Sequence, residues 1–376
     1  MTPPPRSPIW LAAPTRFAGL SIRGAHLAAA LALFLLIACF SALPAPAPPP
    51  VSPEATAATE QEDRADVILY QHIVAGLRAG DDYYSVVANA LRTGDYPLKP
   101  FVTFRLPTLA KVQAAIPDLL SATLLFALAG ASIAAWYRRL GPHLTHTAPR
   151  LVAGALAIGG LSTFVRPDLI AFHEVWAAPL LALSLATWRP GKATVAIALA
   201  LAAMLIRETA AVYAGVMVLA ALVEGRRREV VGWIAAVAVF AAAVAVHAHA
   251  VAQVVRPDDP ASPGWSGMLG FGFFVKAMTL ATALSALPAL LAAPLVGVAL
   301  IGWAGWRDPV ACRALGVLGS YALLLAVFCR VDTYYWGILA APILPIGLVF
   351  APDTLRDLWR SVHQRRRRIS VTRTIR

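Results

Sequence analysis

Charge is what this chain is short of. Of its 376 residues 14% are Asp, Glu, Lys or Arg, where a soluble domain carries about a quarter. Its three cysteines (Cys39, Cys312 and Cys329) are too few and too scattered for a disulfide framework. Each lies in or beside an apolar run, where a thiol behaves as a small hydrophobe. There is no Cys/His finger, no P-loop, no GxSxG and no glycine-rich turn between a strand and a helix, so zinc-finger, nucleotide-binding and serine-hydrolase chemistry have no motif to carry them. What the chain has instead is hydrocarbon-seeking sequence. Fifty-nine per cent (59%) of it is hydrophobic, and the runs 24–43, 117–137, 233–251 and 284–306 approach or exceed the roughly 20 residues that cross a bilayer.

The expected fold class is therefore an all-α integral membrane protein. The net charge of +12 does not mark a nucleic-acid partner, because it falls in short clusters between apolar runs and in a terminal arginine run at 365–368. The clusters are Arg6/Arg16/Arg23, Arg138-Arg139 with Arg150, Arg189 with Lys192, Arg226-Arg227-Arg228, Arg307 with Arg313, and the tail from Arg356. With all of them on the cytoplasmic side, as the positive-inside pattern requires, the chain makes five hairpins. That gives about ten transmembrane helices, at 24–43, 117–137, 150–165, 169–188, 193–206, 209–224, 231–251, 284–306, 314–329 and 334–350. Residues 1–23 form a cytoplasmic N-terminus, 24–350 the transmembrane domain, and 351–376 a basic cytoplasmic tail. The first helix is read as retained, since its apolar run and the stretch before it are longer than those of a cleaved signal. Alanine- and arginine-rich composition is compatible with a high-GC bacterium, hence an inner membrane.

Two outer segments are sizeable, 44–116 and 252–283. The first opens with an extended Pro/Ala linker, 44–53. Hydrophobic periodicity then predicts amphipathic helices over 66–78 and 83–91, broken at Gly80, lying on the membrane surface or packed as a small cap. Gly270-Phe271-Gly272 reads as a turn in the second segment.

The 193–223 hairpin is too short for two full crossings: about 47 Å of helix against about 60 Å. Its tip, Arg207-Glu208, is therefore recessed beneath the outer surface. The tips Arg166-Pro167-Asp168 and Arg330-Val331-Asp332 share the pattern of an arginine beside an acid. Three such tips around a wet depression offer guanidinium forks to a phosphate; the plainer reading is that each arginine pairs with its neighbouring acid. Glu174 needs a partner at membrane depth, and the His173-Glu174 doublet lacks zinc spacing. His247 and His249 point to different faces of a helix. Asp81 and Asp82 precede a helix. One suffices as an N-cap; the other could serve as a general base or help to bind a divalent metal.

The order of these features resembles the polytopic GT-C superfamily of glycosyltransferases, mannosyltransferase-like enzymes that use a lipid-phosphate sugar. The resemblance rests on Gly80-Asp81-Asp82-Tyr83-Tyr84-Ser85-Val86-Val87-Ala88, Gly94-Asp95-Tyr96-Pro97 and Phe104-Arg105-Leu106-Pro107-Thr108-Leu109. Many relatives carry Asp-Glu and Lys-Pro-Pro-Leu where this chain has Asp-Asp and Arg-Leu-Pro-Thr-Leu. The resemblance implies inverting transfer of a sugar from a polyprenyl-phosphate donor to a glycan, lipid or protein acceptor on the outer face, with no nucleotide cofactor. It implies Asp82 as the base, with Asp81 second, and Arg330, Arg207 and Arg105 at the donor phosphate. Arg166, Asp168, Glu174, His173 and Tyr84 would then contact sugar or acceptor. The alternatives are a polytopic transporter and a non-catalytic envelope-assembly membrane protein.

Overall fold

Proline and glycine decide where the apolar runs become helices. Pro117 and Pro288 stand at the N-caps of α5 (Asp118–Leu140) and α12 (Ala289–Gly305), and Pro309 opens α13 (Pro309–Val327), where a missing N–H costs nothing. In the last apolar run the same residue acts as a breaker. The expected tenth span, 334–350, is not one helix: it is two 3₁₀ segments, Val331–Leu339 and Ala341–Ile343, and then the start of α14 (Gly347–Val362), because Pro342 and Pro345 interrupt the hydrogen-bond ladder.

The computed structural model describes residues 8–45 and 53–363, without the side chains of 53–65 and of Asp332. The linker 46–52, Arg6 and the basic run from 364 lie outside the described residues. The described chain is helical, with no strand among its described residues. Four stretches are long and apolar enough to cross a membrane by length and composition: Ile22–Ala42, Asp118–His143, Arg227–Val254 and Pro309–Val327. The first contains α1 (Ile22–Cys39) and the third is α10 (Arg227–Val254). The other apolar helices are shorter. They include α6 (Thr147–Gly159), α8 (Thr194–Ile206), α9 (Ala211–Val223), α11 (Gly270–Leu280) and α12. Several apolar helices are compatible with a multi-pass membrane protein.

At the centre lies α7 (His173–Thr187), buried on every side and packed against α5 and α8. A helix that is apolar all round belongs in the middle of a bundle. Close crossings hold the periphery: a Cβ on Gly302 of α12 would run into the carbonyl of Gly347 on α14, and one on Gly305 into Thr354. Small residues let two backbones approach in this way.

The helices alternate between two ends. At one end, contacts through Trp188 and Glu224 join Arg139, Arg189, Arg226 and Arg313, and two of these arginines are buried. Arg313 is fully buried; its guanidinium lies 3.6 Å from the centre of the Trp188 ring and forks onto Glu224 at 2.6 and 2.9 Å. Arg139 is also buried and bonds Asp308 at 2.8 Å. Helix α14 runs through 351, where the expected tail begins, to Val362, with Asp353, Asp357 and Ser361 buried. The Asp353 carboxylate accepts the backbone N–H groups of Ile9, Trp10 and Leu11 at 2.6, 2.7 and 2.8 Å, so the N-terminal arm is docked there as well.

A cap covers the other end. Helix α2 (Pro53–Ala79), α3 (Tyr83–Thr93) and α4 (Thr108–Ala115) bury Leu69, Ile73, Val74, Tyr83, Val87 and Leu91 in a cluster of their own. Both expected helices are present; they pack together as a cap, and α2 begins earlier than periodicity indicated. The two outer segments are stitched by Arg92, which forks onto Asp259 at 2.8 and 2.7 Å, and by Ser262 N–H donating to the Lys99 carbonyl at 2.6 Å.

Candidate functional site

Beneath the cap is a cavity of about 1150 Å³. Its walls come from α2, α3, the 94–113 segment, the 207–209 tip, α11 and the 330–336 segment. The cations on the wall are Arg105, Arg207, Lys276 and Arg330; the carboxylates are Asp66, Asp95 and Glu208. Between them stand His173, Tyr70, Tyr83, Tyr96, Trp265, Tyr334, Tyr335 and Trp336. A mixed aromatic and cationic wall suits a ligand with a ring and an anionic group.

Arg105 is aimed by its backbone. The Phe104 carbonyl meets His247 Nε2 at 3.3 Å, the Arg105 carbonyl accepts from the Tyr83 hydroxyl at 2.6 Å, and Leu106 N–H donates to Glu208 Oε1 at 3.1 Å. Burial pushes the Tyr83 hydroxyl well above its ordinary pKa, so it remains a donor. The Arg105 side chain then donates from Nε to the Tyr70 hydroxyl at 3.1 Å.

Arg207 is buried: it is 2% exposed and its Nε lies 2.5 Å from Glu174 Oε1. The guanidinium N–H is not aligned for a hydrogen bond, so this is a charge contact. Glu208 lies 3.4 Å away as a second counter-charge.

The structure thus brings Arg105, Arg207, Arg330 and His173 to one cavity, with Glu174 immediately behind Arg207. It leaves the others out of the lining. Asp82 is the N-cap of α3, its Oδ2 accepting from Ser85 N–H at 3.0 Å, and both Asp82 and Asp81 are exposed. Neither carboxylate is among the residues that line the cavity. Tyr84 turns to His247 at 3.3 Å. Arg166 and Asp168 pair with each other at 3.1 and 2.8 Å and are more than half exposed, which is the plainer of the two readings for a tip. His249 is exposed and His247 buried, on different faces as expected.

Sequence reasoning missed Asp66, Tyr70, Lys276 and the aromatic run 334–336. Asp66 stands one helical turn before Tyr70, a carboxylate on the face that packs inward. Lys276 is the single charge in α11, and a lone lysine in an apolar helix is itself a signal. It was passed over because Gly270-Phe271-Gly272 read as a turn; Gly270, with φ +76°, instead opens the helix that forms the cavity wall. Among the described residues no three His, Cys, Asp or Glu side chains gather as a metal site. No protein-family model, curated protein or solved structure matches this chain.

Proposed function

We propose that this protein is a membrane glycosyltransferase of the GT-C kind, which moves a sugar from a polyprenyl-phosphate donor to an acceptor hydroxyl with inversion. The observation that carries this reading is the convergence of Arg105, Arg207 and Arg330, from three separate parts of the chain, on one aromatic-lined cavity under the cap. Charge develops on the departing lipid phosphate in the transition state, and fixed guanidinium groups stabilise charge where it develops.

The base is assigned to Asp66 in place of Asp82, because Asp66 lines the cavity on the same face of α2 as Tyr70. Asp95, the carboxylate of the 94–113 wall, is exposed. In the reaction the acceptor oxygen bonds to the anomeric carbon and its proton passes to Asp66. The bond from that carbon to the phosphate oxygen breaks, and its electron pair leaves with the polyprenyl phosphate. No nucleotide takes part. A divalent ion would have to be held by substrate phosphate together with one or two of the wall carboxylates.

The test is transfer from a panel of polyprenyl-phosphate sugars by the purified protein in proteoliposomes, read as release of polyprenyl phosphate. Arg105→Met and Asp66→Asn should each lower turnover at least a hundredfold, and Asp82→Asn should not. Counterflow uptake of a solute with no release of lipid phosphate from any donor would replace this reading with a transporter.

A further inference from the structure

His173 is 3% exposed, and neither of its ring nitrogens has a hydrogen-bond partner among the described residues. An imidazole carries at least one N–H donor, and native interiors rarely leave such groups unmet. The neighbouring carboxylate that would ordinarily take the donor, Glu174, is spent on Arg207. His173 is one of the residues that line the cavity.

What surrounds the ring says which ligand. Tyr70 meets it edge-on, with ring centres 4.8 Å apart. The Tyr70 hydroxyl already accepts from Arg105 Nε, which leaves its own proton to donate. Arg105 and Arg207 are the charged neighbours of His173. Guanidinium, phenol and imidazole donors of this kind, gathered at one part of a wall, match an acceptor-only group with several oxygens, which is the chemistry of a phosphate.

We propose that His173 donates a hydrogen bond to the phosphate of the bound substrate, beside Arg105 and Tyr70, and so is a ligand-binding residue of the cavity. The inference rests on the phosphate-donor reading of the cavity and adds to it a neutral donor that fixes where the phosphate sits.

Binding to the purified full chain in detergent, measured with three probes, tests it: a polyprenyl monophosphate, the uncharged polyprenol and inorganic phosphate. His173→Phe keeps a ring against Tyr70 and removes both nitrogens; His173→Gln keeps an N–H. The Phe variant should bind the lipid phosphate about ten- to a hundredfold more weakly, as loss of a hydrogen bond to a charged group implies. Gln should restore most of that loss, and polyprenol binding should not change. Equal binding of lipid phosphate by wild type and His173→Phe overturns the role of His173 and leaves the glycosyltransferase reading intact. Inorganic phosphate binding with the same dependence on His173, and no added affinity from the lipid chain, keeps the role and overturns the polyprenyl donor. No binding of any phosphate probe overturns both. Should the Phe variant fail to fold, ¹⁵N-histidine spectra of the wild type decide: the His173 ring, assigned through His173→Gln, shifts at saturating lipid phosphate, and an unmoved ring overturns the inference.

Discussion

Removing Glu174 should show whether the cavity is built around a coupled charge pair. Glu174 and Arg207 are 1% and 2% exposed and touch at 2.5 Å. For charge centres about 4 Å apart at an effective dielectric of 20 the attraction is about 4 kcal/mol. Breaking a buried pair from one side costs about 3–5 kcal/mol, because the other charge stays behind. Glu208, 3.4 Å from Arg207 with its side chain 19% exposed, takes up part of that orphaned charge and sets the cost at the lower end. Glu174→Gln should therefore lose about 3 kcal/mol, or about 4 °C in midpoint for a chain of this size. Tryptophan-fluorescence melting of the protein in detergent measures it. Arg207→Met should cost a similar amount, and the double variant should fall short of the sum by about 2 kcal/mol, as coupled sites do. If the two losses add within about 0.5 kcal/mol, the residues are not a pair and the recessed tip owes its place to something else.

Asp82→Ala should lose about 1 kcal/mol through the missing cap of α3, read by thermal melting, and should leave ligand binding in the cavity unchanged. The Arg92–Asp259 fork should make the junction between the outer segments sensitive to acid. Arg92 holds the Asp259 carboxyl well below the usual carboxylate range. Its stabilising contribution is therefore complete above the unfolded value of about 4 and is lost as pH falls through the lower folded value. Hydrogen exchange at 92–99 and 256–262 should rise in that acid window in the wild type and be raised at all pH values in Asp259→Asn. Gly302→Ala should destabilise by more than about 2 kcal/mol, because its Cβ would meet the Gly347 carbonyl. Gly319→Ala in α13, where a Cβ meets nothing, should be neutral or stabilising by up to about 1 kcal/mol; differential melting compares the two.

What the sequence made legible and what it hid divide along physical lines. Periodicity and the Gly80 break located both cap helices, because both signals are local geometry. The partner of Glu174 stands 33 residues further along the chain, beyond any local pattern, and so does the Arg92–Asp259 fork. Asp82 is ambiguous in the sequence because a cap and a catalytic base ask for the same residue type in front of a helix, and the cap is the role for which the structure shows a contact. The tenth span failed because hydropathy counts Pro342 and Pro345 as tolerable in an apolar run, whereas a helix does not.

The grip of Asp353 on the N–H groups of Ile9, Trp10 and Leu11 bears on the order in which the molecule is made. The arm is synthesised before the carboxylate that receives it, which comes more than three hundred residues later. Until α14 is synthesised the arm has no seat, so these two segments complete their folding together. A chain that stops short of α14 would leave its opening residues undocked, and with them the contacts from Leu11, Ala12 and Thr145 that join the arm to the 141–145 turn.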